Sequence, residues 1–247
     1  MFENVTYYVL SALAVLIILT IHEYAHGYAA FKLGDRTAKS LGRLTLNPLK
    51  HLDPVGALCM IFFHFGWAKP VPVNARNFKN PKRDFAIVAL AGPLTNIIAA
   101  LISAFIYLLL FALLRNVSFQ SGFLFAVVKN LLSFIFIFHL ANIGIGLFNL
   151  IPIPPLDGSR ILNVILPTKT YFAIMKYERQ IYLGLLIWLL LGGYVSSLLL
   201  NISFIAATPL LSAIARIFSL SGLLGDLIQI VSDGMMSLWK LIPFLNR

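Results

Sequence analysis

The chain has 247 residues, of which 60% are hydrophobic and 11% charged, with a mean hydropathy of +0.89. An average soluble domain carries about 45–50% apolar and about 25% charged residues, so a soluble fold of this size lacks the polar side chains to cover itself. The composition excludes such a fold and describes an integral membrane protein, whose formal charge of +10 belongs to the flanks of membrane spans rather than to a nucleic-acid surface.

About 20 apolar residues carry a helix across a bilayer core. Residues 5–31 supply the first span, and no basic n-region precedes it, which argues against a cleaved signal peptide. Near its end stands the polar stretch T-I-H-E-Y-A-H-G, residues 20–27. A membrane-associated loop over 42–80 follows, in which VGALCMIFFHFGW (55–67) is too short to cross and reads as re-entrant or interfacial. KPVPVNARNFKNPKR (69–83) reads as a loop or short extended segment. A long span over 85–114 is expected to be interrupted at Gly92-Pro93, another covers 131–151, and a further one covers 181–200. The stretch 204–245, broken by Pro209, Gly222, Gly225, Asp226 and Asp233, offers two tilted spans or interfacial helices. The expected fold is an all-α polytopic membrane protein with about 4–6 transmembrane helices and a short re-entrant or extended/β segment after the first span. Residues 1–165 form a core holding the polar motifs, and 166–247 a C-terminal helical membrane region. Cys59 is the single cysteine, so no intrachain disulfide exists.

Ten of the 19 Lys and Arg residues lie between Lys32 and Arg83, and four more between Arg160 and Arg179. The turn after 85–114 carries Arg115 and Lys129 alone. Basic loops stay in the cytoplasm, so 32–84 and 152–180 are expected inside. The expected location is the cell membrane, multi-pass, with the polar motifs near the cytoplasmic face.

The stretch His22-Glu23-Tyr24-Ala25-His26 has the form H-E-x-x-H. Two histidines at i and i+4 share one helical face and can bind one metal ion, with the glutamate beside them as a base. Ionisable groups at membrane depth are costly and usually functional. Catalytic zinc takes three protein ligands and keeps a fourth position open, so a third ligand is needed. Asp35, Asp53, Asp84, Asp157 and Glu178 are available. Asp157 stands out by context, in N-L-I-P-I-P-P-L-D-G (149–158): Pro152, Pro154 and Pro155 stiffen the chain, and Gly158 permits a sharp turn directly after the carboxylate. The competing reading is that Asp157 only caps the next helix.

The two motifs together, H-E-Y-A-H in a span and N-L-I-P-I-P-P-L-D-G far downstream, resemble those of the site-2 protease family of intramembrane zinc metalloproteases. GRLTLNPLKHLDPVG (42–56), FGWAKPVPVNARNFKNPKRD (65–84) and AGPLTN (91–96) match in order, so the resemblance covers roughly 10–165. It implies one zinc ion per chain on His22, His26 and Asp157, Glu23 as general base, and Asn149 as a polar group near the scissile carbonyl. Asn96 fits the family's G-P-x-x-N pattern and is assigned to packing. The implied activity is zinc-dependent cleavage of transmembrane segments, with membrane-protein substrates and the lipid bilayer as partners, no nucleic acid, and no oligomeric state fixed. An extended substrate could pair with an edge strand around 42–75. Two alternatives predict different patterns. A metal transporter needs ligands strung through the membrane and repeat symmetry; an inactive scaffold has no use for Glu23. Smaller assignments are His139 to a helix–helix hydrogen bond, His51 to a loop, His64 to the interface, Asn142 to the face that Asn149 shares, and Phe134, Phe136 and Phe138 to packing or lipid contact.

Overall fold

The computed structural model describes residues 2–63, 66–201, 208 and 220–245. His64 and, within the expected 204–245 region, residues 204–207 and 209–219 therefore lie outside the described residues. Among those described, the chain is helical and contains no strand.

Helix α1 (Phe2–Lys32) is a single rod of 31 residues, about 46 Å long at 1.5 Å per residue. It stops at Gly34, whose φ of 108° suits a residue without a Cβ. There the Asp35 amide reaches back to the Ala30 carbonyl at 2.9 Å, the bond that closes a Schellman end. The fully buried Asp35 then fastens the following loop. Its carboxylate accepts from the Thr37 amide (3.0 Å) and hydroxyl, the Asn74 amide (2.7 Å) and the Asn77 side chain (2.7 Å).

The region expected to offer an edge strand is built otherwise. It contains the short helix α2 (Thr37–Ser40), a 3-10 turn at Pro48–Lys50, helix α3 (Pro54–Phe63) and an extended run into Asn74. One antiparallel bridge joins Leu52 to Ala68, and the Lys69 amide donates to the His51 carbonyl at 2.8 Å. A strand cannot continue from there, because Pro70 and Pro72 have no N–H to give. Asp53 accepts from the Gly56 amide at 2.8 Å and starts α3, which at 10 residues is too short to cross.

Helix α4 (Pro81–Leu114) opens on Pro81 with a reciprocal cap, in which Asn80 accepts from the Arg83 amide (3.4 Å) and Asp84 from the Asn80 amide (3.0 Å). It passes through Gly92-Pro93 unbroken, contrary to the expected interruption. Proline is tolerated within spans where neighbouring helices re-satisfy the freed backbone. Helix α5 (Gly122–Leu150) starts nine residues before the expected span. The two pack closely through small residues: Ala100 and Ala104 are fully buried, and a Cβ on Gly146 would lie 3.3 Å from the Pro93 carbonyl. Then follow α6 (Asp157–Ile165), α7 (Thr168–Met175), α8 (Glu178–Leu200, covering the expected 181–200 span) and α9 (Leu220–Lys240). His139 does join helices, donating from Nδ1 to the Ala100 carbonyl (2.8 Å) and accepting at Nε2 from Ser232 of α9 (3.0 Å). Among the described residues three helices are long and apolar enough to cross a membrane: Val5–Lys32, Pro81–Leu114 and Gly122–Leu150.

Candidate metal centre

His22 and His26 lie one turn apart on the same face of α1, both buried, with their rings edge-to-face at 4.6 Å. Asp157 enters between them from the start of α6. Its Oδ2 lies 3.1 Å from His22 Nε2 and 3.2 Å from His26 Nε2, and the two Nε2 atoms are 3.0 Å apart. Ligands around a tetrahedral zinc at 2.0–2.1 Å stand roughly 3.3 Å from one another, so this triangle fits such an ion. Among the described residues it is the one grouping of three such side chains able to hold a metal.

The supporting contacts set the chemistry of the donors. His26 Nδ1 donates to the Val88 carbonyl of α4 at 2.7 Å, which leaves the lone pair on Nε2, the nitrogen turned to the triangle. Gly92, also on α4, makes the room: a Cβ there would lie 2.4 Å from His26 Nε2 and 2.7 Å from His22 Cε1. The Gly-Pro pair read as a break is thus a continuous helix with a notch for two imidazoles.

Asp157 is the first residue of α6 and makes no capping bond to it; Leu156 holds the cap position. The reading of Asp157 as a helix cap alone therefore falls. Gly158 is needed for contact rather than for a turn, since a Cβ would lie 2.3 Å from the Leu150 carbonyl oxygen and 2.5 Å from that of Ile151. The start of α6 presses directly on the end of α5, which sets the depth at which Asp157 is delivered. The other acids are engaged elsewhere: Asp35 in the loop, Asp53 and Asp84 at helix starts, and Glu178 in an ion pair with Arg160.

Glu23, half-buried beside His22, accepts at Oε2 from the Val71 amide at 2.7 Å. Asn149 is on α5, half-buried, and its amide donates back to the Ile145 carbonyl at 3.0 Å rather than to the triangle. Asn142, two turns earlier and fully buried, likewise bonds its own helix at Phe138. Asn96 is fully buried against Gly146, as expected of a packing position, although its amide has no partner among the described residues. The sequence reading missed Val71 and the purpose of Gly92. The alternating prolines of KPVPV, which leave Val71 as an isolated donor, were the available signal for the first. Outside the spans, burial pushes the Asp35 carboxyl up, but its hydrogen bonds from Thr37, Asn74 and Asn77 outweigh this and hold it below its ordinary value.

The chain is similar to known proteins along most of its length. The sequence model of Peptidase family M50 matches residues 10–192. YwhC of Bacillus subtilis, which bears a zinc-metalloprotease name, is 40% identical over 219 residues, covering 86% of this chain and 97% of its own. Rip2 of Mycolicibacterium smegmatis, named likewise, is 30% identical over 71% of this chain and 64% of its own length. The zinc metalloprotease MJ0392 of Methanocaldococcus jannaschii is 26% identical over 78% of this chain and 45% of its own. No solved structure matches the chain significantly. With a family match over most of its length and apolar helices fit to cross a bilayer, the chain belongs to peptidase family M50, the site-2 protease family, and is a membrane metalloendopeptidase that uses zinc.

Proposed function

We propose that the protein is an intramembrane endopeptidase that cuts transmembrane segments of membrane proteins, with zinc held by His22, His26 and Asp157. The observation that carries this is that Asp157, 135 residues beyond His22 in sequence, meets His22 and His26 of the first apolar helix. These three side chains would hold the zinc, which would supply Lewis-acid chemistry for a peptide carbonyl and a water molecule. Glu23 takes a proton from the attacking water and returns it to the departing amine, a role its place beside His22 supports. Asn149, turned from its own helix, would donate to the substrate carbonyl. The catalytic core is assigned to residues 1–165, with 166–247 as a second, C-terminal region.

The protein crosses the membrane several times. The basic loops 32–84 and 152–180 flank both halves of the site and support a cytoplasmic opening, through which water reaches it. A helical substrate hides its carbonyls in its own hydrogen bonds, so it must unwind before it is cut. A metal-transport pathway finds no support, because the ligands gather at one level and no second cluster accompanies them among the described residues. The test is mass spectrometry of new protein termini in membranes from cells with the wild-type enzyme or Glu23→Gln. Termini within or beside apolar segments, present only with the wild type, are expected; identical sets of termini would refute the proposal.

A further inference from the structure

A general base works only if its carboxylate is held at one place, and Glu23 has an unusual partner for that purpose. Its Oε2 accepts from the main-chain N–H of Val71 at 2.7 Å. The residues on either side are Pro70 and Pro72, which have no N–H. Across these three residues Val71 is the single backbone donor, and it is aimed at the acid of the H-E-x-x-H motif.

The surroundings fix this segment on several sides. The Arg43 guanidinium donates to the carbonyls of Lys69 (2.7 Å) and Pro70 (3.3 Å). The Lys69 amide is tied to His51 at 2.8 Å and the Asn74 amide to Asp35 at 2.7 Å. The Val71 side chain is buried and seats over Gly27, one turn beyond Glu23 on α1. A Cβ at Gly27 would come within 3.2 Å of Val71 Cγ1 and 3.3 Å of Leu44 Cδ1, so the glycine lets the segment approach the helix.

We propose that the Val71 N–H is the positioning group for Glu23, held by the Arg43 clasp and the Gly27 seat, a role that rests on the reading of Glu23 as the base. With Oε2 anchored to Val71, the carboxylate is held in one orientation beside His22. A hydrogen bond to a charged carboxylate is among the stronger kinds, and a backbone donor cannot be lost by a change of rotamer. What matters at position 71 is the N–H, with a side chain small enough to sit over Gly27.

The test uses the purified full chain in detergent with fluorescein-labelled casein as a generic unfolded substrate. Val71→Pro removes the donor within a run already flanked by prolines, whereas Val71→Ala keeps it. We expect Val71→Pro to lower kcat by about 10- to 100-fold, the scale of a misplaced catalytic group, with KM and zinc content unchanged, and Val71→Ala, which keeps the donor and loses part of the seat, to lose at least about fivefold less than Val71→Pro. A wild-type kcat in Val71→Pro, or equal losses in both variants, would overturn the proposal. Hydrogen exchange provides a readout independent of turnover and of the folding of Val71→Pro. The difference between overlapping fragments that include and omit residues 70–72 reports the Val71 amide, which should exchange at least about 10-fold faster in Glu23→Ala than in wild type; equal rates would overturn the proposal as well. Glu23→Gln separates the two claims, since an active Glu23→Gln defeats the base assignment itself. An inactive one beside a normal Val71→Pro defeats the positioning role alone.

Discussion

Replacing Gly92 with alanine places one methyl group where the two imidazoles meet. The added Cβ would stand 2.4 Å from His26 Nε2 and 2.7 Å from His22 Cε1. Ordinary contact needs roughly 3.4 Å or more, so one ring must retreat by about 1 Å, whereas zinc–ligand distances tolerate about 0.2 Å. His26 has little freedom to retreat because Nδ1 is tied to Val88 at 2.7 Å. Zinc affinity should therefore fall by at least about 100-fold, the upper end of what disturbing a ligand's support costs. The helix itself should gain, since alanine is the better helix former by about 1 kcal/mol. The assay is zinc per chain by mass spectrometry after equilibration with graded chelator, alongside circular dichroism. Gly122→Ala, whose Cβ would meet nothing within 4 Å, is the control and should bind zinc as the wild type does. A Gly92→Ala protein with wild-type affinity would refute the notch and the placement of the rings.

Glu23→Gln should retain its zinc and lose turnover, because the residue acts as base and not as ligand; zinc loss would reassign it. Asn149→Ala should cut kcat by about 10²–10³-fold with zinc intact, as loss of one carbonyl donor does, and unchanged rates would leave Asn149 a packing residue. Asp35 titrates below its usual value of 3.8 when folded, so its stabilisation is complete above that value and disappears as pH falls through the folded one. Asp35→Asn should lower the Tm at pH 7, with the gap to wild type closing below about pH 4; a gap constant with pH would contradict this role.

The acids and histidines of the site were legible because their spacing carries local geometry: four residues bring His22 over His26 on any helix, and prolines around 152–155 prevent the helix from running on to Asp157. Other features depend on partners far away in the chain. Gly92-Pro93 looks like a break until the imidazoles that fill its notch are placed beside it. The sequence around 42–75 has the composition of extended chain, yet Pro70 and Pro72 withhold the donors a sheet needs, and a single bridge at Leu52 and Ala68 results. Val71 reads as an ordinary apolar residue, since its contribution is a backbone N–H. Gly158 was recognised as necessary for the wrong reason: its small size serves a helix-end contact with Leu150 and Ile151 rather than a turn.

The central claim is one zinc ion on His22, His26 and Asp157, and zinc K-edge X-ray absorption with metal counting on the purified protein addresses it most directly. The account predicts about one zinc per chain with two imidazoles and oxygen donors at roughly 2.0–2.1 Å, loss of the metal in His26→Ala, and a spectrum in Asp157→Ala missing the carboxylate. Full occupancy in His26→Ala with an unchanged spectrum would place the zinc elsewhere and contradict it.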